Sequence, residues 1–370
     1  MRVVSGKVKT GDIVFNPGKD EKEKIGQIFK LQGKERSESD ELSAGEIGAL
    51  VKLKVSKTGD TLCSDSLKAK LPEPEYPTPL IQMAVTPATK ADQEKLSTAL
   101  SKLVEEDPAL RVRYETATRQ TLIEGNGEVQ LNILIKRLAD RYKVNVDTHE
   151  PKIAYKETIR GTAEAQGRHK KQSGGRGQFG DVWLRFEPHD EEGYKFVDAI
   201  VGGVVPGRFV PAVDKGLKEA FESGVLAGYP VTKVQVTLFD GSYHPVDSSE
   251  VAFKTAAHLA VKAGFPKAKP VLLEPIMDVE VVIPEQFMGD IMGDLNTRRG
   301  KIQGMDPMAK KQRIRAKVPQ AEMDRYIVNL RSMTEGRGEY TMQFSHYEEV
   351  PNQVAEEVIA KAKKEEEQSD

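Results

Sequence analysis

Short apolar runs broken by Gly-Asp and Gly-Glu turns fill residues 1–71: SGKVKTGDIVF, KIGQIFKL, AGEIGALVKL and TGDTLC. Alternation at period two between glycine turns predicts short strands, and a series of them predicts a small β-barrel. Only Met1 and Arg2 precede Val3 and Val4, where the first expected strand begins. The barrel is therefore expected to be partial, and the chain to be a piece of something longer. Four prolines in LPEPEYPTP (71–79) predict a stiff linker over 72–79.

Over 78–150 the pattern changes to βαββαβ. Strand PLIQMAVTP leads to a helix from Lys90 to Glu106, with Leu96, Leu100 and Leu103 on one apolar face. Strands RVRYETA and QTLIEG follow. A second helix is expected from Glu128 to Tyr142, with Val129, Ile133 and Leu134 as its buried stripe, and strand VNVDT closes the unit. This order is the ferredoxin-like split βαβ. A related order recurs over 273–345: strand EPIMDVEVVIP, helix EQFMGDIMGDLNTRR, strands KIQGMDP and KQRIRAKVP, helix QAEMDRYIVNLRSM and strand GEYTMQFSHY.

Between them, 151–272 reads as a third, α/β unit. IAYKETI, DVWLRFEP and YKFVDAIVGG alternate as strands. A helix over 206–223 carries Val213, Leu217, Ala220 and Phe221 on one face, with Gly224 beyond its end. After strand TKVQVTLFDG, the spacing of Asp247 and Glu250 predicts a capping box opening a helix that stops at Gly264. The tail, 346–370, predicts an amphipathic helix and a frayed, solvated EEEQSD. The fold class is α+β multidomain: a partial β-barrel, then two ferredoxin-like βαββαβ domains flanking an α/β domain.

Charge and composition narrow the chemistry. Charged residues make up 30% and aromatics 6% of 370 residues, with 55 Lys and Arg against a net charge of −2. Nucleic-acid contact must therefore come from local clusters. One cysteine, Cys63, excludes an internal disulfide framework and a multi-cysteine zinc site, and fits a reducing cytoplasm. No apolar run approaches the length of a membrane span. G-x-x-x-x-G-K-[ST] is absent. GVVPGRF is the nearest match, with Arg208 and Phe209 in place of Lys and Ser/Thr. Residues 175–180 satisfy G-x-G-x-x-G but open a strand, where a dinucleotide site opens a helix. The six histidines show no metal-ligand spacing, and no catalytic set emerges.

Three stretches carry candidate binding chemistry. RHKKQSGGRGQFG (168–180) places four cations within nine residues beside four glycines. Such a loop suits a phosphate backbone, with a solvated hairpin with turn glycines as the lesser alternative. Its candidate contacts are Lys170, Lys171, Ser173, Gly174, Gly175, Arg176, Gly177 and Gln178. DGSYHPVDSSE (240–250) offers Tyr243 for stacking and His244 as a donor to phosphate or 2′-OH, or is an ordinary loop before a helix. The third set is Arg298, Arg299 and Lys301, followed by Lys311, Arg313, Arg315 and Lys317. The last four share one strand face, which is either a cationic surface or a solvated one balanced by acids.

A family is recognisable in these same residues. HKKQSGGRGQFGDV, GGVVPGRFVPAVDKGLKEA, DGSYHPVDSSEVAFKTAA, LLEPIMDVEVVIPEQFMGDIMGDLNTRRGKI and LRSMTEGRGEYTMQFSHYEEVP resemble the C-terminal half of bacterial elongation factor G, in order and over essentially the whole chain. RVVSGKVKTGD and AGEIGALVKLKVSKTGDTLC resemble the later part of that family's second domain. Residues 78–150, 151–272 and 273–345 resemble its third, fourth and fifth, and the C-terminal helix is expected to return onto the fourth.

The resemblance implies a ribosome-binding, monomeric, cytoplasmic translation factor. Its fourth domain is an arm that enters the ribosomal A-site, with ribosomal RNA and the tRNA–mRNA pair as partners, during translocation. The tip loops map onto 173–180 and 240–247, with His244 at the tip-histidine position. Arg298, Arg299 and the 311–317 strand would face large-subunit RNA. GTP and magnesium would belong to a nucleotide domain that this sequence does not include, so no enzyme activity is expected of the chain itself. Asn126 and Gln130 stand where the family has Met and His, and Pro245 follows His244 where a small or acidic residue is usual. These departures point to a paralogous branch, in which recycling or ribosome protection is the alternative to translocation. A stand-alone small-molecule enzyme on the central α/β domain is disfavoured by the missing phosphate loop.

Overall fold

The computed structural model describes residues 1–172 and 177–367. Two units separate by their contacts: Met1–Tyr114 with Gln120–Pro151, and Glu115–Arg119 with the chain from Lys152 onward.

Seven short strands open the first unit: β1 (Lys7–Lys9), β2 (Ile13–Asn16), β3 (Glu21–Lys24), β4 (Ile28–Gln32), β5 (Glu35–Ser39), β6 (Glu41–Ser43) and β7 (Ala49–Leu50). They pair antiparallel as three small sheets, β1-β6, β2-β3 and β5-β4-β7, around a core of Val3, Val8, Ile25, Ile28 and Leu42. Two of these strands, EKEK and ERSES, have no apolar alternation at all. β3 is fixed instead by Glu23, whose buried carboxylate accepts the backbone N–H groups of Lys54, Val55 and Ser56 at 3.1, 2.8 and 2.9 Å.

Next come β8 (Ile81–Pro87), α1 (Lys90–Glu106), β9 (Arg111–Glu115), β10 (Gln120–Gly125), α2 (Glu128–Tyr142) and β11 (Val146–His149). The sheet order β11-β8-β10-β9 is 4-1-3-2, the ferredoxin-like arrangement. Both helices have the predicted bounds, and Leu96, Leu100 and Leu103 of α1 are buried. The stripe predicted for α2 is corrected. Leu131, Leu134 and Leu138 face the core, whereas Val129 is 73% exposed and Ile133 is exposed too. Leu131 sets that rotation by packing over Gly125, where a Cβ would lie 2.9 Å from its Cδ2.

The second unit begins with β12 (Lys156–Ile159), β13 (Ala163–Lys171), β14 (Gln178–Pro188) and β15 (Tyr194–Asp198). A 3-10 turn then leads into α3 (Val210–Glu222), followed by β16 (Val234–Ser242) and α4 (Glu250–Gly264). The sheet runs β13-β14-β16-β15, with only β15 and β16 parallel. Phe186, Leu184, Val236 and Leu238 from the strands share one core with Val213, Leu217, Phe253 and Val261 from the helices. Ser249, not Asp247, caps α4: its side chain accepts the Ala252 N–H at 3.2 Å.

The chain ends with β17 (Pro270–Pro284), α5 (Met288–Thr297), β18 (Lys301–Met308), β19 (Lys311–Pro319), α6 (Tyr326–Met333), β20 (Glu339–Glu349) and α7 (Asn352–Glu367). The order β20-β17-β19-β18 is again 4-1-3-2, and β12 pairs with the first residues of β17. The single helix predicted over 320–333 is broken. A 3-10 turn, Gln320–Met323, is followed by Arg325 at φ 48° before α6 starts. Val354, Ala355 and Val358 of α7 pack on Tyr155, Leu272 and Val350 with Ile153 and Tyr229. The helix reaches Glu367, so part of the segment predicted to fray is helical, and residues 368–370 lie outside the described ones. Among the described residues, no helix is long and apolar enough to cross a membrane and no group of His, Cys, Asp and Glu is placed to hold a metal.

Candidate nucleic-acid interface

At one end of the β13-β14-β16-β15 sheet, the β13–β14 hairpin meets the loop between β16 and α4. Lys170 pairs with Phe179 and Lys171 with Gln178 in the hairpin ladder. Four predicted contacts, Ser173, Gly174, Gly175 and Arg176, lie outside the described residues. The two loops are clasped by Ser248. Its buried hydroxyl donates to the Phe179 carbonyl at 2.9 Å and accepts the His244 N–H at 2.9 Å. The Phe179 N–H donates to the Asp247 carbonyl at 2.9 Å. Gln178 and His244 are thereby set at neighbouring points of one tip.

His244 is half-exposed, and its Nδ1 accepts the backbone N–H of Asp247 at 3.1 Å and that of Val246 at 3.4 Å. That choice of acceptor puts the proton of the neutral ring on Nε2, so the tip presents a hydrogen-bond donor. The Asp247 carboxylate lies 3.3 Å from Nδ1. Tyr243 is 44% exposed. The Phe179 ring has the Arg168 guanidinium 5.7 Å from its centroid and the His244 ring 6.4 Å away. Lys170 and Lys171 are exposed and have no carboxylate partner among the described residues.

Gly180, one of the four glycines of the 168–180 stretch, serves packing, and so does Gly167 in β13. A Cβ on Gly180 would lie 2.5 Å from the Ala252 carbonyl oxygen, and one on Gly167 would lie 1.9 Å from that of Ala256. Both let α4 lie directly on β13 and β14, which fixes the angle at which the β16–α4 loop leaves the sheet. Gly177 is different: a Cβ there would meet the Asp247 carboxylate at 2.8 Å, inside the tip itself.

The C-terminal cations have another fate. Lys311, Arg313, Arg315 and Lys317 do share one face of β19, yet each has an acid from another strand of the sheet: Glu339 at 3.1 Å, Glu280 at 3.8 Å, Asp306 at 3.0 Å and Asp278 at 2.9 Å. The Lys317 hydrogen bond, with a second from Ser345, holds the Asp278 carboxyl below the usual range. Lys301 pairs with Glu348 at 2.6 Å. Arg299 is turned inward. Its Nη1 and Nη2 fork onto the buried Glu274 at 2.7 and 2.8 Å, and its Nε donates to Glu322 at 2.9 Å. Those bonds raise its pKa. Arg298 donates to Asp294 and to the Glu322 carbonyl, and lies over the Tyr326 ring. The predicted cationic face is thus a balanced checkerboard, and the two arginines are internal struts of their domain.

Four family models match in sequence order: elongation factor Tu domain 2 over 1–63, elongation factor G domain III over 76–150, elongation factor G domain IV over 151–269 and the elongation factor G C-terminus over 271–358. The chain belongs to the elongation factor G family. Among solved structures, the crystal structure of a Thermus thermophilus protein matches with a TM-score of 0.80 and 39% sequence identity. The match covers 97% of this chain and 54% of that one, so the chain spans about half the length of this structural relative.

In elongation factor G terms, the tip belongs to domain IV and the checkerboard to the C-terminal domain. One of the domain III departures, Gln130, has a structural role here. Gln130 Oε1 accepts the Asn126 N–H at 2.8 Å, and its Nε2 donates to Asp107 at 2.8 Å. The side chain thus orders the turn before α2 and ties it to the end of α1. Glu157 escapes sequence reasoning. It is fully buried, and its carboxylate accepts four backbone N–H groups, from Val225, Leu226, Ala227 and Tyr229, at 2.7–3.0 Å. A single acid in the run YKET gives no signal of that role.

Proposed function

We propose that this chain is the ribosome-binding portion of a translational GTPase. Its domain IV arm would carry the tip loops into the A-site and bias tRNA–mRNA movement during translocation. In this reading Lys170, Lys171 and Arg176 neutralise RNA phosphates, Tyr243 stacks, and His244 donates through Nε2 to a phosphate or 2′-OH. The observation carrying it is the contrast in charge pairing. Among the described residues the tip lysines have no acid to leave, whereas every cation of the β19 face is already paired. Binding phosphate at the tip costs only desolvation, while at the checkerboard it would first cost an existing pair. GTP and magnesium chemistry belongs, on this reading, outside these residues, which supply binding and positioning.

The test is the salt dependence of ribosome binding. Lys170→Ala with Lys171→Ala is expected to weaken binding and to reduce the slope of log K against log salt by about 1.4–1.8, from 0.7–0.9 per phosphate contact. Lys311→Ala with Arg315→Ala is expected to leave the slope unchanged. Equal effects from both pairs would overturn the assignment of the tip. A tip variant that blocks subunit splitting while leaving translocation intact would move the chain to the recycling branch.

A further inference from the structure

The loop between β15 and α3, residues 199–206, holds most of the GGVVPGRF stretch that fails as a phosphate loop. β15 runs parallel to β16 and ends at Asp198, opposite Leu238, so the loop leaves from the same end of the sheet as the tip. The Ala199 N–H donates to the Leu238 carbonyl at 2.9 Å, and the Ile200 N–H to the Asp198 side chain at 3.1 Å. The loop returns to the sheet at Val205, which is buried against Gly241. A Cβ on that glycine would lie 2.6 Å from Val205 Cγ2. Gly241 is two residues before Tyr243, so the loop flanks the β16–α4 loop directly.

What it displays is unusual for a solvated turn. Val201 is 82% exposed and Val204 37%. They bracket Gly202 and Gly203, both in the left-handed region at φ 72° and 71°, which few other residues would tolerate in sequence. Tyr243, Val246 and Val251, at 44%, 61% and 65% exposed, stand on the adjoining loop and the start of α4. Exposed single apolar residues need no explanation, but several gathered at one end of a domain do. Arg208 follows just beyond the loop. It is exposed, lies over the Phe209 ring at 4.7 Å, and has no carboxylate partner among the described residues. The acids at this end are engaged or set apart. Asp240 accepts the N–H of its neighbour Gly241, Asp247 lies against His244, and Asp181 is buried under Gln166 and Ser242. Glu250 sits in the first turn of α4, where the helix dipole favours it.

We infer that residues 199–208 form a third RNA-contacting loop of the tip, in which Val201 and Val204 pack on ribose faces in the shallow minor groove of an RNA helix and Arg208 takes an adjoining phosphate. An A-form minor groove is wide, shallow and lined with sugars, a surface that small β-branched side chains on a glycine pivot fit. An arginine without a carboxylate partner favours RNA over a protein surface. This inference rests on the ribosome-binding reading of the tip.

The two kinds of contact separate by salt. Val201→Ser with Val204→Ser, both on exposed positions, is expected to weaken binding of the full chain to ribosomes by about tenfold, the loss of roughly two partly buried valines, with the log–log salt slope unchanged. Arg208→Ala is expected to reduce that slope by about 0.7–0.9. Val201→Cys in a Cys63→Ser background, carrying a benzophenone, is expected to cross-link to ribosomal RNA. Wild-type affinity in the double serine variant, or cross-linking to ribosomal protein alone, would overturn the third-loop assignment while the Lys170 and Lys171 result stands. If the unmodified chain does not bind ribosomes at all, the reading of the whole tip fails with it.

Discussion

Gly180 shows how one missing side chain sets the geometry of the tip. A Cβ there would meet the carbonyl oxygen and carbon of Ala252 at 2.5 and 2.6 Å, and neither backbone atom can turn aside. Gly180→Ala is therefore expected to cost about 1–3 kcal/mol. It should lower the urea midpoint followed by fluorescence of Trp183, the only tryptophan and a residue of β14. An unchanged midpoint would mean that α4 can lift from the sheet without loss. Glu157 acts in the opposite way, through what its side chain adds. Glu157→Gln leaves one acceptor oxygen for four N–H donors. At least one donor is then left unmet, at about 1–3 kcal/mol, and the amides of 225–229 are expected to exchange hydrogen faster. At this scale a basic, glycine-rich loop and a tip histidine are legible in the sequence. The glycines that admit a helix are not separable there from those in the loop, because the helix residues they meet lie 70 or more positions away.

Among the elements, those with a hydrophobic period are legible and those without one are not. α1 is bounded as its leucine spacing predicts. α2 has the predicted bounds, but Val129 and Ile133 lie on its solvent side, since Leu131, Leu134 and Leu138 give a competing stripe that only the fit against Gly125 decides. β3 has no pattern, because a buried carboxylate holds it in place of an apolar face. Burial pushes the Glu23 carboxyl up, but the N–H donors of Ser56, Lys54 and Val55 outweigh it and leave the carboxyl below its ordinary value. A depressed carboxylate stabilises the fold above its unfolded pKa, about 4.3, and that contribution is lost as pH falls through the lower folded value. Glu23→Gln is accordingly expected to be less stable than wild type near neutrality, with the gap narrowing below about pH 4.3. An equal gap at pH 7 and pH 3 would show that Glu23 contributes shape and not charge.

Over the whole molecule, the repeated 4-1-3-2 sheet is foreshadowed in the order of elements, although the two copies share little sequence. The charge balance of the C-terminal sheet is not. Glu280, Asp278, Asp306 and Glu339 reach the β19 cations only through strand register, which a count of lysines cannot supply. The last helix closes the second unit from the far end of the chain. Its Val354, Ala355 and Val358 cover Ile153, Tyr155 and Tyr229 of the arm domain together with Leu272 and Val350. Ending the chain at Pro351 should expose Tyr155, Leu272 and Val350, lower stability by about 2–4 kcal/mol, and bind a hydrophobic dye more strongly than the full chain does.

β12 and the start of β17 are the two legs on which the arm leaves its neighbour and returns, and they are hydrogen-bonded to each other, with Ile159 opposite Pro270. Facing residues in an antiparallel ladder lie about 5 Å apart. The arm is therefore a cassette with touching ends: a two-residue hairpin turn would span the gap left by its removal, and a foreign domain with equally close termini would fit on the same stem.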